Sequence, residues 1–242
     1  MRRWVFAAML AAAAPVHADW TGKGEAGLVI ASGNTDTETA NAKVQLTNET
    51  DNWKNTAGAA ALYASDEEGK TANRWELSAQ TDWKFTARNF LFGAGRYEQD
   101  EFSGFEYQAT ASYGIGRRFF DSPSTKMVGT LGAGYKFIET RDSFDEETGI
   151  LIEEGDSDKE VVFRATLDLD HQFTATTNLI NKFIVESGAD NTFVQNELSL
   201  QVKMTDVLAL ALGYSVRHNT DPPSEFENTD TLTTINLVYD IK

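Results

Sequence analysis

The chain has 242 residues, 37 of them acidic against 21 basic, a formal charge of −16 and no cysteine. It therefore has no disulfide, thiolate metal site or cysteine nucleophile, and a chain this acidic repels nucleic acid. The length suits one all-β domain, and no Pro-rich or Gly/Ser-rich linker divides it.

Arg2 and Arg3 precede an apolar run from Trp4 to Ala14, and Val16-His17-Ala18 forms a cleavage-like end. Residues 1–18 thus read as a cleavable signal peptide and 19–242 as the mature protein. A membrane-anchoring helix is the alternative, but eleven residues fall short of the roughly 20 that cross a bilayer. Removing residues 1–18 takes away two basic residues and no acidic one, leaving a charge of −18. An exported chain without disulfides needs another source of stability, and strand pairing around a closed barrel supplies one.

Twelve segments of alternating polarity follow, at 20–32, 37–48, 53–65, 72–85, 89–100, 107–120, 126–140, 159–173, 177–187, 192–204, 208–219 and 227–241. Their connections alternate in character. Residues 49–52, 86–88, 121–125, 174–176 and 205–207 are short, whereas 66–71, 101–106, 141–158 and 220–226 are longer; 33–36 and 188–191 are the exceptions. Short periplasmic turns and longer outer loops are the pattern of a transmembrane antiparallel β-barrel, here an up-and-down meander of about twelve strands with both termini on one side.

The fourth segment shows which face meets lipid. Trp75, Leu77, Ala79, Thr81, Trp83 and Phe85 share one side, and Arg74, Glu76, Ser78, Gln80, Asp82 and Lys84 the other. The reverse register would put four charges into hydrocarbon, at about 2–4 kcal/mol for a basic residue near the midplane. In the eighth segment Val161, Phe163, Ala165, Leu167, Leu169 and Phe173 point outward and Arg164, Thr166, Asp168, Asp170 and Gln172 inward. Aromatics gather at the segment ends: Trp20, Trp53, Trp83, Phe119 and Phe173 toward the periplasm, and Tyr63, Trp75, Tyr97, Tyr107, Phe137 and Phe163 toward the exterior. The core of a soluble barrel also collects aromatics, but an inner face this charged argues against one.

Counting across the short turns sets charges opposite one another. Asp168 faces Lys182, Arg164 faces Glu186 and Arg74 faces Asp100, while Glu76 is diagonal to Arg96 and directly opposes Glu98. These ladders read first as braces of the wall, each worth about 0–1 kcal/mol when wet, and second as the lining of an aqueous path. Gly114, Gly116, Gly132 and Gly134 meet on the inner face, where they either open a passage or permit curvature and close backbone approach. The loop 141–158 carries Asp142, Asp145, Glu146, Glu147, Glu153, Glu154, Asp156 and Asp158. It reads as a solvated loop, with loose divalent-cation binding as the alternative; its carboxylates lack the order of an EF-hand.

Beyond residue 18 the histidines are His171, beside a short turn, and His218, near acidic outer residues. Neither accompanies a nucleophile at a recognisable spacing, and no Walker loop, zinc motif or dinucleotide fingerprint occurs. The sequence therefore predicts no enzyme and no cofactor.

Four strings carry a family likeness: Ser32-Gly33-Asn34-Thr35, Ala72-Asn73-Arg74-Trp75, Tyr97-Glu98-Gln99-Asp100-Glu101-Phe102 and Gly132-Ala133-Gly134-Tyr135. They resemble the YdiY-like family of outer-membrane proteins described as salt-induced, a likeness that covers nearly all of the mature chain and is clearest from Gly24 to Tyr135. The resemblance implies an outer-membrane barrel of undetermined activity and a link to salt stress; it carries over no catalytic residue. Many such barrels end in an aromatic residue, whereas this chain ends Val238-Tyr239-Asp240-Ile241-Lys242 with alternation kept through Ile235, Leu237, Tyr239 and Ile241. Expected partners are outer-membrane lipid and lipopolysaccharide, the barrel-assembly machinery, and divalent cations at the acidic loops. The polar inner face ranks a narrow passive channel for ions or small solutes above a non-conducting structural role, with a lipid-acting enzyme behind both.

Overall fold

The computed structural model describes residues 20–31, 37–67, 69–103, 105–141, 143–144, 151–153, 155–222 and 227–241. The proposed signal peptide and the string Ser32 to Thr35 lie outside these residues. The strands are β1 (Trp20–Ala31), β2 (Thr37–Glu49), β3 (Trp53–Asp66), β4 (Gly69–Lys84), β5 (Asn89–Asp100), β6 (Phe105–Asp121), β7 (Thr125–Thr140), β8 (Ser143–Phe144), β9 (Leu151–Glu153), β10 (Ser157–Gln172), β11 (Thr177–Ser187), β12 (Thr192–Lys203), β13 (Leu208–Asn219) and β14 (Thr229–Ile241).

Twelve of them close an antiparallel barrel in meander order, and β8 pairs with β9 as a separate hairpin. Each of the twelve segments expected from the sequence corresponds to one barrel strand. The hairpin was not expected: alternation over two or three residues is too short to show in sequence, so 141–158 read as loop throughout. Closure comes from β1 on β14, where Gly22 opposes Ile241 and Ala26 opposes Leu237. This seam holds five residue pairs against twelve between β1 and β2, which makes it the thinnest part of the wall.

The five short turns share one device. Thr50, Thr86, Ser122, Thr174 and Thr205 each open a turn, and each hydroxyl accepts a hydrogen bond from a backbone N–H two or three residues on, at 2.8–3.2 Å. A hydroxyl there satisfies a donor that the ladder leaves unpaired as the chain reverses.

Polarity is inverted relative to a soluble protein. Tyr113 (73% exposed), Phe163 (70%) and Leu131 (66%) stand outside, while Glu186 (2%) and Lys136 (3%) are buried inside. Such an arrangement is stable only where the outer solvent is hydrocarbon. Trp75 lies 5.1 Å from Tyr97, which stacks on Tyr107 at 5.6 Å, so three adjacent strands contribute to the aromatic girdle at the barrel end opposite the short turns.

Ala79 sits on the outer face midway between Trp75 and Trp83, while Gln80 points inward and donates to Asp82 at 2.8 Å. Ala79→Arg is expected to cost about 2–4 kcal/mol, the range for a basic residue near the midplane. Gln80→Arg, beside Asp82, is expected to cost less than about 1 kcal/mol. Urea titrations of the two variants in lipid vesicles compare them; equal losses would contradict the facing of β4.

Candidate functional site

The candidate site is the lumen, because the inward faces bring the charged residues together there. Strand register sets Arg74 opposite Asp100, Glu76 opposite Glu98, Arg164 opposite Glu186 and Asp168 opposite Lys182. Three of the expected contacts form directly. Arg164 Nε lies 3.3 Å from Glu186 Oε1, Arg96 Nη2 lies 2.9 Å from Glu76 Oε2, and Arg74 Nη1 lies 3.9 Å from Asp100 Oδ2. Lys182 instead reaches across the lumen and donates to Gln45 of β2 at 2.6 Å. Asp168 remains exposed to the lumen.

Arg96 resolves the opposition of Glu76 and Glu98 by binding both. Glu98 also takes Arg217 of β13, whose other terminal nitrogen is 3.4 Å from Asp100 Oδ2. In the ring of twelve, β13 and β5 are six strands apart, so this contact runs along a full diameter. Phe193 of β12 fills the centre of the cluster, with the Arg96 and Arg217 guanidinium carbons 5.1 and 5.2 Å from its ring centroid and Lys136 Nζ at 5.9 Å. Cations over an aromatic face are attracted by its quadrupole. Glu98, Lys136, Glu186, Phe193 and Arg217 are all buried and lie toward the strand ends opposite the short turns.

Two further tiers cross the lumen below. Near mid-height Lys43 pairs with Glu197 of β12 at 2.6 Å, while on the same wall Asn41 of β2 donates to Asn236 of β14 at 3.0 Å over Gly27 of the intervening β1. At the turn end Glu49 takes Lys84 at 2.8 Å and Arg118 at 2.7 Å, tying β2 to β4 and β6. None of these cross-lumen contacts was expected from sequence, since local counting gives a strand's neighbours and not the strand across the barrel. Outside the lumen, at the rim, Glu101 accepts from Asn73 Nδ2 at 2.6 Å and Lys70 Nζ at 3.3 Å, which holds its carboxyl below the usual range.

The four glycines do meet, with Gly114 opposite Gly132. Of their two readings the structure gives close approach, not a passage. A Cβ on Gly116 would fall 2.1 Å from Phe90 Cζ, and one on Gly132 would fall 2.9 Å from Phe92 Cζ and 2.3 Å from the Tyr113 carbonyl oxygen. At Gly134 the crowding comes from the Ala111 carbonyl, 2.3 Å away. The volume the glycines release is occupied by the buried rings of Phe90 and Phe92. Open space within the lumen lies elsewhere, as a cavity of about 150 Å³ bordered by Glu25, Lys43, Ala60, Gly213, Thr234 and Asn236 among others.

His171 and His218 each meet a neighbouring-strand hydroxyl, Thr125 and Thr229, at 2.8 Å. His171 also packs edge-on to Phe173, with ring centroids 4.8 Å apart. Among the described residues no group of three or more metal-type ligands occurs. The loop acids Asp142, Asp145, Glu146, Glu147 and Glu154 lie outside the described residues.

The closed antiparallel barrel agrees with what comparison with known proteins finds. The family model described as "Protein of unknown function, DUF481" covers residues 24–241. The chain belongs to that family. The Escherichia coli K12 protein named "Uncharacterized protein YdiY" is 24% identical over 217 residues, 88% of this chain and 80% of its own. The resemblance seen in the sequence is thus a family relationship. Among solved structures, the translocator domain of autotransporter NalP from Neisseria meningitidis superposes with a TM-score of 0.53 at 12% identity, covering 91% of this chain and 86% of that one. At that identity the likeness is one of fold.

Gly116→Val is expected to destabilise by about 1–3 kcal/mol through overpacking against Phe90. Adding Phe90→Ala should recover most of the loss. Thermal unfolding in detergent, followed by the shift between folded and unfolded gel mobility, measures both; an unchanged midpoint for Gly116→Val would mean that Phe90 does not occupy the glycine floor.

Proposed function

We propose that the protein is a bacterial outer-membrane barrel, exported through the signal peptide 1–18, whose resting state is closed. In this reading it is a non-conducting structural component of the envelope, and the link to salt stress comes from the family resemblance alone. The observation that carries it is the diametric contact of Arg217 with Glu98, packed around Phe193. A lumen crossed at that level by buried side chains leaves no straight aqueous path. Arg217 holds Glu98 and Asp100 at once while its guanidinium packs on the Phe193 ring, so several contacts keep the arrangement closed.

The second reading is a narrow passive channel for ions or small solutes, the use ranked first on sequence. The cavity of about 150 Å³ against the Ala60 and Gly213 wall favours it, as does the lumen exposure of Asp168. Conduction would then need the Arg217 side to move away from β5. In a planar bilayer the native barrel is expected to insert without steady current, whereas Arg217→Ala with Phe193→Ala should give discrete conductance. Steady current from the native chain would reject the closed reading. If that current preferred cations at low salt and lost the preference near 1 M, where the Debye length is about 3 Å, the acidic mouth would be its source. Release of fatty acid from lipid, abolished by His218→Ala, would instead indicate an enzyme.

Orientation is part of the same proposal. With the short turns periplasmic, the segment 141–158 faces the exterior, where its carboxylates would meet lipopolysaccharide and its bridging divalent cations. Protease added to intact cells is expected to cut within 141–158 and spare the turn 174–176. Cleavage only after the outer membrane is opened would reverse the orientation. The alternation of Ile235, Leu237, Tyr239 and Ile241 is the feature the barrel-assembly machinery would read.

A further inference from the structure

The lipid-facing surface carries one feature that neither the lumen nor the girdles account for. Asn181 of β11 and Asn196 of β12 alternate with the inward-facing Lys182 and Glu197, so both point outward. Each lies within two residues of its strand's midpoint, at the depth of the bilayer centre. The other outward-facing amides engaged in the girdles differ: Asn55 follows Trp53 and accepts from Thr81 at 2.6 Å, and Gln99 accepts from Trp75 Nε1 at 3.1 Å. Around the asparagines the outer face is apolar, with Leu179, Phe183, Leu198 and Leu200 as neighbours.

The two amides are joined to each other. Asn181 Nδ2 donates to Asn196 Oδ1 at 2.5 Å and to the Glu197 carbonyl oxygen at 3.3 Å. Among the described residues this leaves the Asn196 amide nitrogen without an acceptor and the Asn181 amide oxygen without a donor. Exchanging nitrogen and oxygen in both side chains reverses the direction of the bond between them and still leaves one donor and one acceptor spare. Acyl chains offer neither, and an unsatisfied amide in hydrocarbon costs several kcal/mol. Water and headgroups, which satisfy the girdle amides, do not reach this depth.

We infer that this face, centred on Asn181 and Asn196, is the contact surface for a second copy of the same chain. One spare donor beside one spare acceptor is a self-complementary set. A twofold axis along the bilayer normal brings identical depths together, so the Asn196 nitrogen of each copy faces the Asn181 oxygen of its mate, and both pairs close. Leu198 and Leu200 flank the pair and supply the surrounding apolar contact. A different membrane protein would have to present a matching amide set at that depth, whereas a second copy does so by symmetry.

The test uses the full barrel purified from membranes and examined by sedimentation equilibrium in a density-matched detergent. The native chain is expected to be dimeric, and Asn181→Leu with Asn196→Leu should weaken the dimer by about tenfold or more, because symmetry removes two hydrogen bonds at once. Folded gel mobility before heating confirms that the variant still forms a barrel. A native chain that is monomeric at all concentrations, or a dimer unchanged by the double substitution, overturns the inference. The chain has no cysteine, so a membrane reading is also possible. Leu198→Cys should cross-link to a doubled mass with a short bismaleimide in native membranes, whereas Leu77→Cys, exposed on the far wall, should not. Cross-linking of Leu198→Cys only to a protein of another mass would mean that the partner is not a second copy. These outcomes do not depend on whether the lumen conducts.

Discussion

Hydrocarbon cannot accept a hydrogen bond, and the rest of the structure follows from that constraint. Every backbone donor at membrane depth needs a partner within the protein, so each strand must be paired on both sides and the row must close on itself. Closure fixes the alternation: one face of every strand meets lipid and the other meets the lumen. The charges of an acidic chain are thereby driven inward, where Glu98 and Glu186 end up more deeply buried than most of its leucines. What looks like an inside-out core results from placing a polar sequence in an apolar solvent.

The inward charges must then satisfy one another, and this is where barrel diameter enters. Adjacent strands settle some pairs, as Arg164 with Glu186 does. Others require a side chain long enough to reach the far wall, and Arg217, Lys43 and Lys182 all do so. Arg96 takes two carboxylates, and Arg217 takes two more contacts from the opposite side, so Glu98 sits between two guanidiniums. Planar, multi-donor guanidinium suits this use better than a lysine ammonium. Phe193 gives the cluster a centre that needs no hydrogen bond of its own and attracts three cations.

How far the sequence discloses this arrangement depends on the range of each interaction. Strand positions and the facing of β4 and β10 are legible because alternation is local and a slip of one residue would expose Arg74, Glu76, Asp82 and Lys84 to lipid. The Arg74–Asp100 and Arg164–Glu186 oppositions are legible because a short turn fixes the register of its two strands. The Arg217–Glu98 contact is not, since it depends on strand count and tilt around half the ring. The preference of Lys182 for Gln45 over its neighbour Asp168 has the same origin. The glycines mislead for another reason: sequence shows that volume is missing at Gly116 and Gly132 but not what fills it. Phe90 and Phe92 share the inward face of β5 with Arg96 and Glu98, and that alternation was the readable sign of the filling.

Closing a lumen with charge has a consequence that closing it with leucine would not. An apolar plug that parts exposes hydrocarbon to water, and the hydrophobic term opposes every step of opening. When an ionic lattice parts, guanidinium and carboxylate groups regain their hydration while losing Coulomb attraction, and these two large terms nearly cancel. The free-energy gap between closed and open states is therefore small relative to either contribution. Modest changes around Arg217, Glu98 and Asp100 can shift it in either direction. The closed and channel readings are in this sense neighbouring states of one lattice, and what separates them is whether Phe193 holds the guanidiniums of Arg96 and Arg217 together. With the ring in place the two cations share one aromatic face as well as the Glu98 carboxylate between them; without it, the carboxylates alone offset their mutual repulsion and the bridge is weaker.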